Sequence, residues 1–174
     1  MIAVRRTQPA ERLGATPRKE APLHLVLVEP QIPPNTGNVA RLCAATGCAL
    51  HLVGPLGFSI DDRDLKRAGL DYWDEVDLTL HATLDAFRRA NRRPLWLFST
   101  HASRLYTAAP FAYGDALVFG KETAGLPQAW LDQQSERALR VPMRAGAVRS
   151  LNLSTAAGIV AYAALAHLGF PSLR

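Results

Sequence analysis

Short apolar runs alternating with helical patterns constrain this chain more than any other feature. Leu23–Val28, Ala49–Val53, Leu95–Ser99, Ala116–Phe119 and Leu139–Val141 each read as one strand, with a weaker candidate near Val76–Leu80. Helical patterns cover Asn35–Gly47, Asp61–Ala68, Thr83–Asn91, Pro127–Gln134 and Ser150–Leu168. A strand apolar at consecutive positions must be covered on both faces, and a helix between two such strands supplies the crossover of a parallel pair. The expectation is an α/β domain with a mostly parallel sheet and helices on both faces. The 174 residues suit one such domain with a sizeable core.

Residues 1–22 stand apart. They hold Pro9, Pro17 and Pro22 among charged and small residues with no apolar period, and read as a flexible basic extension before a domain spanning residues 23–174. Five Lys and Arg against two Glu give this stretch 5 − 2 = +3 of the chain's formal +5. A basic tail attracts phosphate backbones, although short basic termini are also often merely solvated. The tail has no apolar h-region, so the chain reads as cytoplasmic. Cys43 and Cys48 lie in or beside an apolar helix without a second ligand pair, as buried reduced thiols do, and no metal is expected. His24, His51, His81, His101 and His167 are scattered, with no ligand or triad spacing.

Three loops follow strand ends, where open α/β sheets bind their ligands. In the first, LVLVEPQIPPNTGNVAR (25–41), a proline-stiffened turn leads into a helix start. Asn35 can cap that helix, while Asn38 and Arg41, three apart, share one face of its first turns. Val39, Leu42, Cys43 and Thr46 have the spacing of a sheet-facing stripe. A well-capped helix after a proline turn has the same pattern without any site. The second loop, LVFGKETAGLP (117–127), ends a strand on Gly120. A glycine there either lets a flat ligand lie on the backbone or makes a tight turn, and Glu122 either accepts from a ligand or favours the next helix N-terminus. The third, RVPMRAGAVRSLNLS (140–154), offers Ser150 and Asn152 beside the start of the last helix, where Ser150 also suits an N-cap.

The last helix is apolar on every side, with no Asp, Glu, Lys or Arg between Arg149 and Arg174. Asn152, Ser154, Thr155 and many alanines argue against a bilayer span, so no membrane is expected. Burial of the second face against a partner copy in a two-fold homodimer is the simpler expectation.

In this order and near these spacings, the stretches EPQIPPNTGNVARLCAATG, GFSIDDRDLKRAGLDYWDEV, FGKETAGLP, RVPM and RSLNLS resemble the SPOUT class of knotted RNA methyltransferases, SpoU/TrmH branch, over Leu23 to Pro171. The second stretch is most similar to the TrmL type, tRNA (cytidine/uridine wobble) 2′-O-methyltransferases. The resemblance implies a C-terminal deep trefoil knot and a bent S-adenosyl-L-methionine held in it, leaving S-adenosyl-L-homocysteine as product, with no metal. The implied cofactor positions are Phe98, Ser99, Thr100, Gly120, Glu122, Val141, Met143, Ser150 and Leu151.

The implied reaction moves the methyl group to a tRNA ribose 2′-oxygen, at the wobble cytidine or uridine of leucine tRNAs. The alternatives are another tRNA position, rRNA, or an RNA-binding module without catalysis. Arg41 would activate or clamp the hydroxyl, Asn35 would orient Arg41, and Ser150 and Asn152 would hold the ribose or the methionine end. Lys66, Arg67 and Arg149 are candidate RNA phosphate contacts or else solvated surface charge, and Tyr162 is a candidate RNA contact from a dimer that the family forms through its first and last helices. The chain departs from the family pattern at Gln31, Lys121, Ala124, Val148, Leu151 and Thr155, which bears on substrate choice more than on cofactor binding.

Overall fold

A computed structural model describes residues 11–13, 20–59, 75–171 and 173–174. The candidate helix at 61–68 and the candidate contacts Lys66 and Arg67 lie outside the described residues. Eight strands form one sheet: β1 (Glu11–Leu13), β2 (Leu23–Val28), β3 (Ala49–Val53), β4 (Leu78–His81), β5 (Leu95–Phe98), β6 (Arg104–Leu105), β7 (Asp115–Phe119) and β8 (Ala138–Arg140). Their spatial order is β1-β4-β3-β2-β7-β5-β8-β6. Every pairing is parallel except that of β1, which runs antiparallel on the β4 edge. Thus Glu11–Leu13, inside the stretch read as a flexible extension, adds a strand to the sheet.

The apolar strands serve two cores at once, because successive side chains point to opposite faces. Leu25, Leu27, Leu50, Leu52, Leu117 and Phe119 enter one core, which also contains residues of α1 (Pro33–Thr46) and α4 (Leu153–His167). Val26, Val28, Val53, Leu97 and Val118 enter the other, with Phe87 of α2 (Leu84–Ala90) and Trp130 and Leu131 of α3 (Gln128–Gln133). The expected two-sided α/β sheet is the observed one. Cys43 and Cys48 are free and buried, and burial pushes both thiols up. No helix among the described residues is long and apolar enough to cross a membrane.

Two helix starts differ from the sequence expectation. α1 begins at Pro33 with prolines in its first positions, where a missing N–H costs nothing, and its N-cap is Ile32 without a side-chain bond. Asn35 therefore sits inside the helix and does not cap it. α4 is capped by Asn152, whose Oδ1 accepts from the Ser154 and Thr155 amides, so Ser150 stays in the preceding loop. At the other end of the sheet order, residues 99–103 carry the chain from one side of β8 to the other.

Candidate functional site

The strand order brings the C-terminal ends of β2, β5, β7 and β8 together around a cavity of about 1090 Å³. Phe98, Ser99, Thr100, Gly120, Glu122, Val141, Met143, Ser150 and Leu151 all line it, as do Asn35, Asn152 and Arg149. Arg41 is exposed on α1 and Tyr162 exposed on α4, neither lining the cavity. The phenyl rings of Phe98 and Phe119, on neighbouring strands, stack at 4.7 Å and 14° against the floor.

A hydrogen-bond network ties three loops of this rim together. The Glu122 carboxylate accepts from the Gln31 amide at 2.9 Å, the Ile32 amide at 3.2 Å and Asn35 Nδ2 at 2.9 Å. Glu122 does favour a helix N-terminus, but that of α1, through the turn before it, and not that of the helix that follows it in sequence. Asn35 Oδ1 in turn accepts from Asn152 Nδ2 at 2.8 Å. The observed partners of Asn35 are therefore Glu122 and Asn152, not Arg41. Asn35 is held at both ends of its amide, and removing any one of the three leaves polar groups of the others unpaired.

The lining also includes residues to which the sequence gives no site role, among them Glu29, Lys121, His101 and Leu126. Lys121 Nζ lies 2.7 Å from Glu29 Oε2, linking the β7 loop to the β2 loop, and Thr123 Oγ1 donates to Gln31 Oε1 at 2.9 Å. Glu29 holds φ 50°, a left-handed conformation uncommon outside glycine, which turns the chain sharply out of β2. Glu29 stands at the strand end like the loops that were read, yet a lone acid after a strand has no pattern to single it out. Of the two readings of Gly120, the tight turn is the one observed: Lys121 and Gly125 pair across it, with the Gly125 amide donating to the Lys121 carbonyl at 2.8 Å. A Cβ on Gly120 would meet Gly125 C at 2.0 Å and Leu126 N at 2.2 Å, so the loop's own backbone fills that space.

A nucleoside-sized cofactor suits this cavity: it is large, its floor is aromatic and aliphatic, and its rim carries amides, hydroxyls and carboxylates. Among the described residues no cluster of His, Cys, Asp and Glu could hold a metal ion.

Residues 22–162 match the SpoU rRNA Methylase family. The chain is 48% identical over 150 residues to the tRNA (cytidine(34)-2′-O)-methyltransferase of Saccharophagus degradans, covering 84% of this chain and 96% of that protein. It is also similar to a solved structure described as structural insights into the 2-OH methylation of C/U34 on tRNA, at 48% identity and TM-score 0.80 over 84% of this chain and 96% of the other. The AdoMet-bound rRNA methyltransferase of Sinorhizobium meliloti matches at 27% identity and TM-score 0.74, over 86% of this chain and 58% of the other.

Proposed function

Because the chain belongs to the SpoU rRNA methylase family, we propose that it is a tRNA ribose 2′-O-methyltransferase using S-adenosyl-L-methionine, acting on the wobble cytidine or uridine, in leucine tRNAs. The observation that carries this reading is the cavity in which the three late loops meet the Asn35–Glu122–Asn152 network. Bound there, the cofactor supplies a methyl group on a sulfonium centre. Phe98 to Thr100, Gly120 and Val141 to Met143 would hold it, with Ser150 and Leu151 closing the rim.

The protein's part is then positioning and electrostatics. Asn152 and Ser150 present amide and hydroxyl groups to the ribose or the methionine end. Glu122 fixes the α1 start from which Asn38 and Arg41 project on one exposed face. A guanidinium stays protonated in proteins, so Arg41 serves by polarising the 2′-hydroxyl or clamping its phosphate and not by free-base abstraction. α1 and α4 pack on each other, and their remaining faces are the surface on which a second copy completes the RNA site. Residues 99–103 cross from one side of β8 to the other, which supports the trefoil knot of the family as the expected threading.

Arg41→Ala is expected to abolish methyl transfer with S-adenosylhomocysteine affinity nearly intact. Ribose methylation mapped in tRNA from cells lacking the protein, then after adding it back, tests the substrate. A methyl group restored at nucleotide 34 supports the proposal. Restoration at another tRNA position or in rRNA, the reading favoured by the Sinorhizobium neighbour, overturns the wobble assignment.

A further inference from the structure

Away from the cavity, the chain FRRANRR (87–93) places four arginines at the end of α2 and in the turn before β5. Over residues 84–94 the charge is 4 − 1 = +3, Asp85 being the lone acid. None of the four arginines forms an ion pair with a described residue. Arg88, Arg89 and Arg92 are exposed and Arg93 is partly so. Two are held in place by neutral contacts. Arg88 lies 5.6 Å from the Trp130 ring centroid and donates to Gln133 Oε1 at 3.3 Å, while Arg92 donates to the Arg89 and Asn91 carbonyls. Arg89 and Arg93 keep their guanidinium donors free of any described acceptor.

The patch is coupled to the cavity through two short elements. On α3, Gln128 and Leu131 line the cavity while Trp130 and Gln133 hold Arg88, so one helix about 7.5 Å from Gln128 to Gln133 joins the two. β5 starts just after Arg93 and ends at the cavity, a rise of roughly 10 Å. At about 3.4 Å per stacked nucleotide, spans of this size correspond to a few nucleotides of an RNA strand. Helix-dipole compensation accounts for the last-turn pair Arg88 and Arg89, but not for Arg92 and Arg93 beyond it.

We propose that Arg88, Arg89, Arg92 and Arg93 form a second RNA-binding surface that grips the sugar-phosphate backbone away from the methylated nucleotide. Planar guanidinium forks already fixed by Trp130 and by backbone carbonyls match phosphate oxygens and lose little freedom on binding. Contacts of this kind set orientation and register without reading sequence. This surface rests on the RNA-methyltransferase reading, though not on which RNA is the substrate.

The test is fluorescence anisotropy of labelled tRNA, and of an rRNA fragment, with wild type and the Arg89→Gln/Arg93→Gln variant from 50 to 200 mM salt. These two side chains make no described bond, so folding is unaffected. With two cations removed, the slope of log affinity against log salt falls by about 1.4 to 1.8, at about 0.7 per neutralised phosphate on a single strand and about 0.9 on a duplex. Affinity at low salt drops roughly tenfold or more, while S-adenosylhomocysteine affinity is unchanged. A variant with wild-type affinity and slope on both RNAs overturns the surface. A wild type that binds the rRNA fragment in preference to tRNA overturns the substrate reading instead; the variant's reduced slope on rRNA would still establish the patch.

Discussion

A Cβ at position 120 would stand 2.0 Å from Gly125 C, which makes Gly120→Ala a direct test of the loop after β7 as a wall of the cavity. The loop 120–125 must open to admit the methyl group, displacing Lys121 from Glu29 and Glu122 from the α1 start. Calorimetric titration with S-adenosylhomocysteine should show affinity falling tenfold or more, and an unchanged constant would mean that this loop does not shape the cofactor pocket. The histidines make the opposite case, illegible until the strands are in register. His24, His51 and His81 lie on three adjacent strands, joined Nδ1 to Nε2 at 3.0 Å and again at 3.0 Å. Spacings of 27 and 30 residues carry no periodic signal, because only the crossover lengths and register bring these rings together. Burial lowers the His81 pKa from 6.5. Below pH 6.5 the unfolded chain therefore binds a proton that the folded one refuses, so stability drops as pH falls until the folded value is passed, then levels off. Urea midpoints should drop between pH 7.5 and pH 5, less steeply in His81→Gln. An equal slope in both proteins would remove His81 from the acid response.

Elements were more legible than their ends. Each of the five principal strands appears within a residue or two of its apolar run, because burial on both faces leaves a run of consecutive apolar residues visible. Helix starts were displaced where side chains serve distant partners. Asn35 reads locally as a cap, yet its amide bridges Glu122 and Asn152, 87 and 117 residues away, and no local pattern encodes that. The last helix follows the same rule at larger scale. Leu153, Ala157, Val160, Ala161, Ala164 and Leu165 are buried, leaving Thr155, Ile159, Tyr162 and Ala166 as an exposed stripe. Ile159 is 37% and Tyr162 49% exposed, large apolar surfaces on a helix without a charged residue to solvate it. Ile159→Glu places a charge in the centre of that stripe and should convert a dimer to a monomer by sedimentation equilibrium. A mass unaltered by the substitution would show that another surface, or none, joins the copies.

Across the whole molecule, ligand chemistry and bulk charge occupy different places. The cavity gathers at the C-terminal strand ends, as expected of a parallel sheet, whereas strand order itself could not be read: nothing in the β8 run announces insertion between β5 and β6. Charge is legible from sequence alone, and residues 1–22 carry +3 of the formal +5. A segment so charged would act on RNA through counterion release, a force that salt weakens, while directional contacts in the cavity would be far less salt-sensitive. Deleting residues 1–22 would confound this effect with removal of β1, whose register Glu11 to Leu80 covers the β4 edge. Replacing Arg5, Arg6, Arg18 and Lys19 by Gln leaves β1 in place and removes four cations. Expected is a severalfold loss of tRNA affinity at 50 mM salt that shrinks to nothing near 300 mM, with methyl transfer at saturating RNA unchanged. Equal affinity at both salt concentrations would make the extension a bystander in RNA capture. A loss that persists at high salt would assign it a directional contact instead of a field effect.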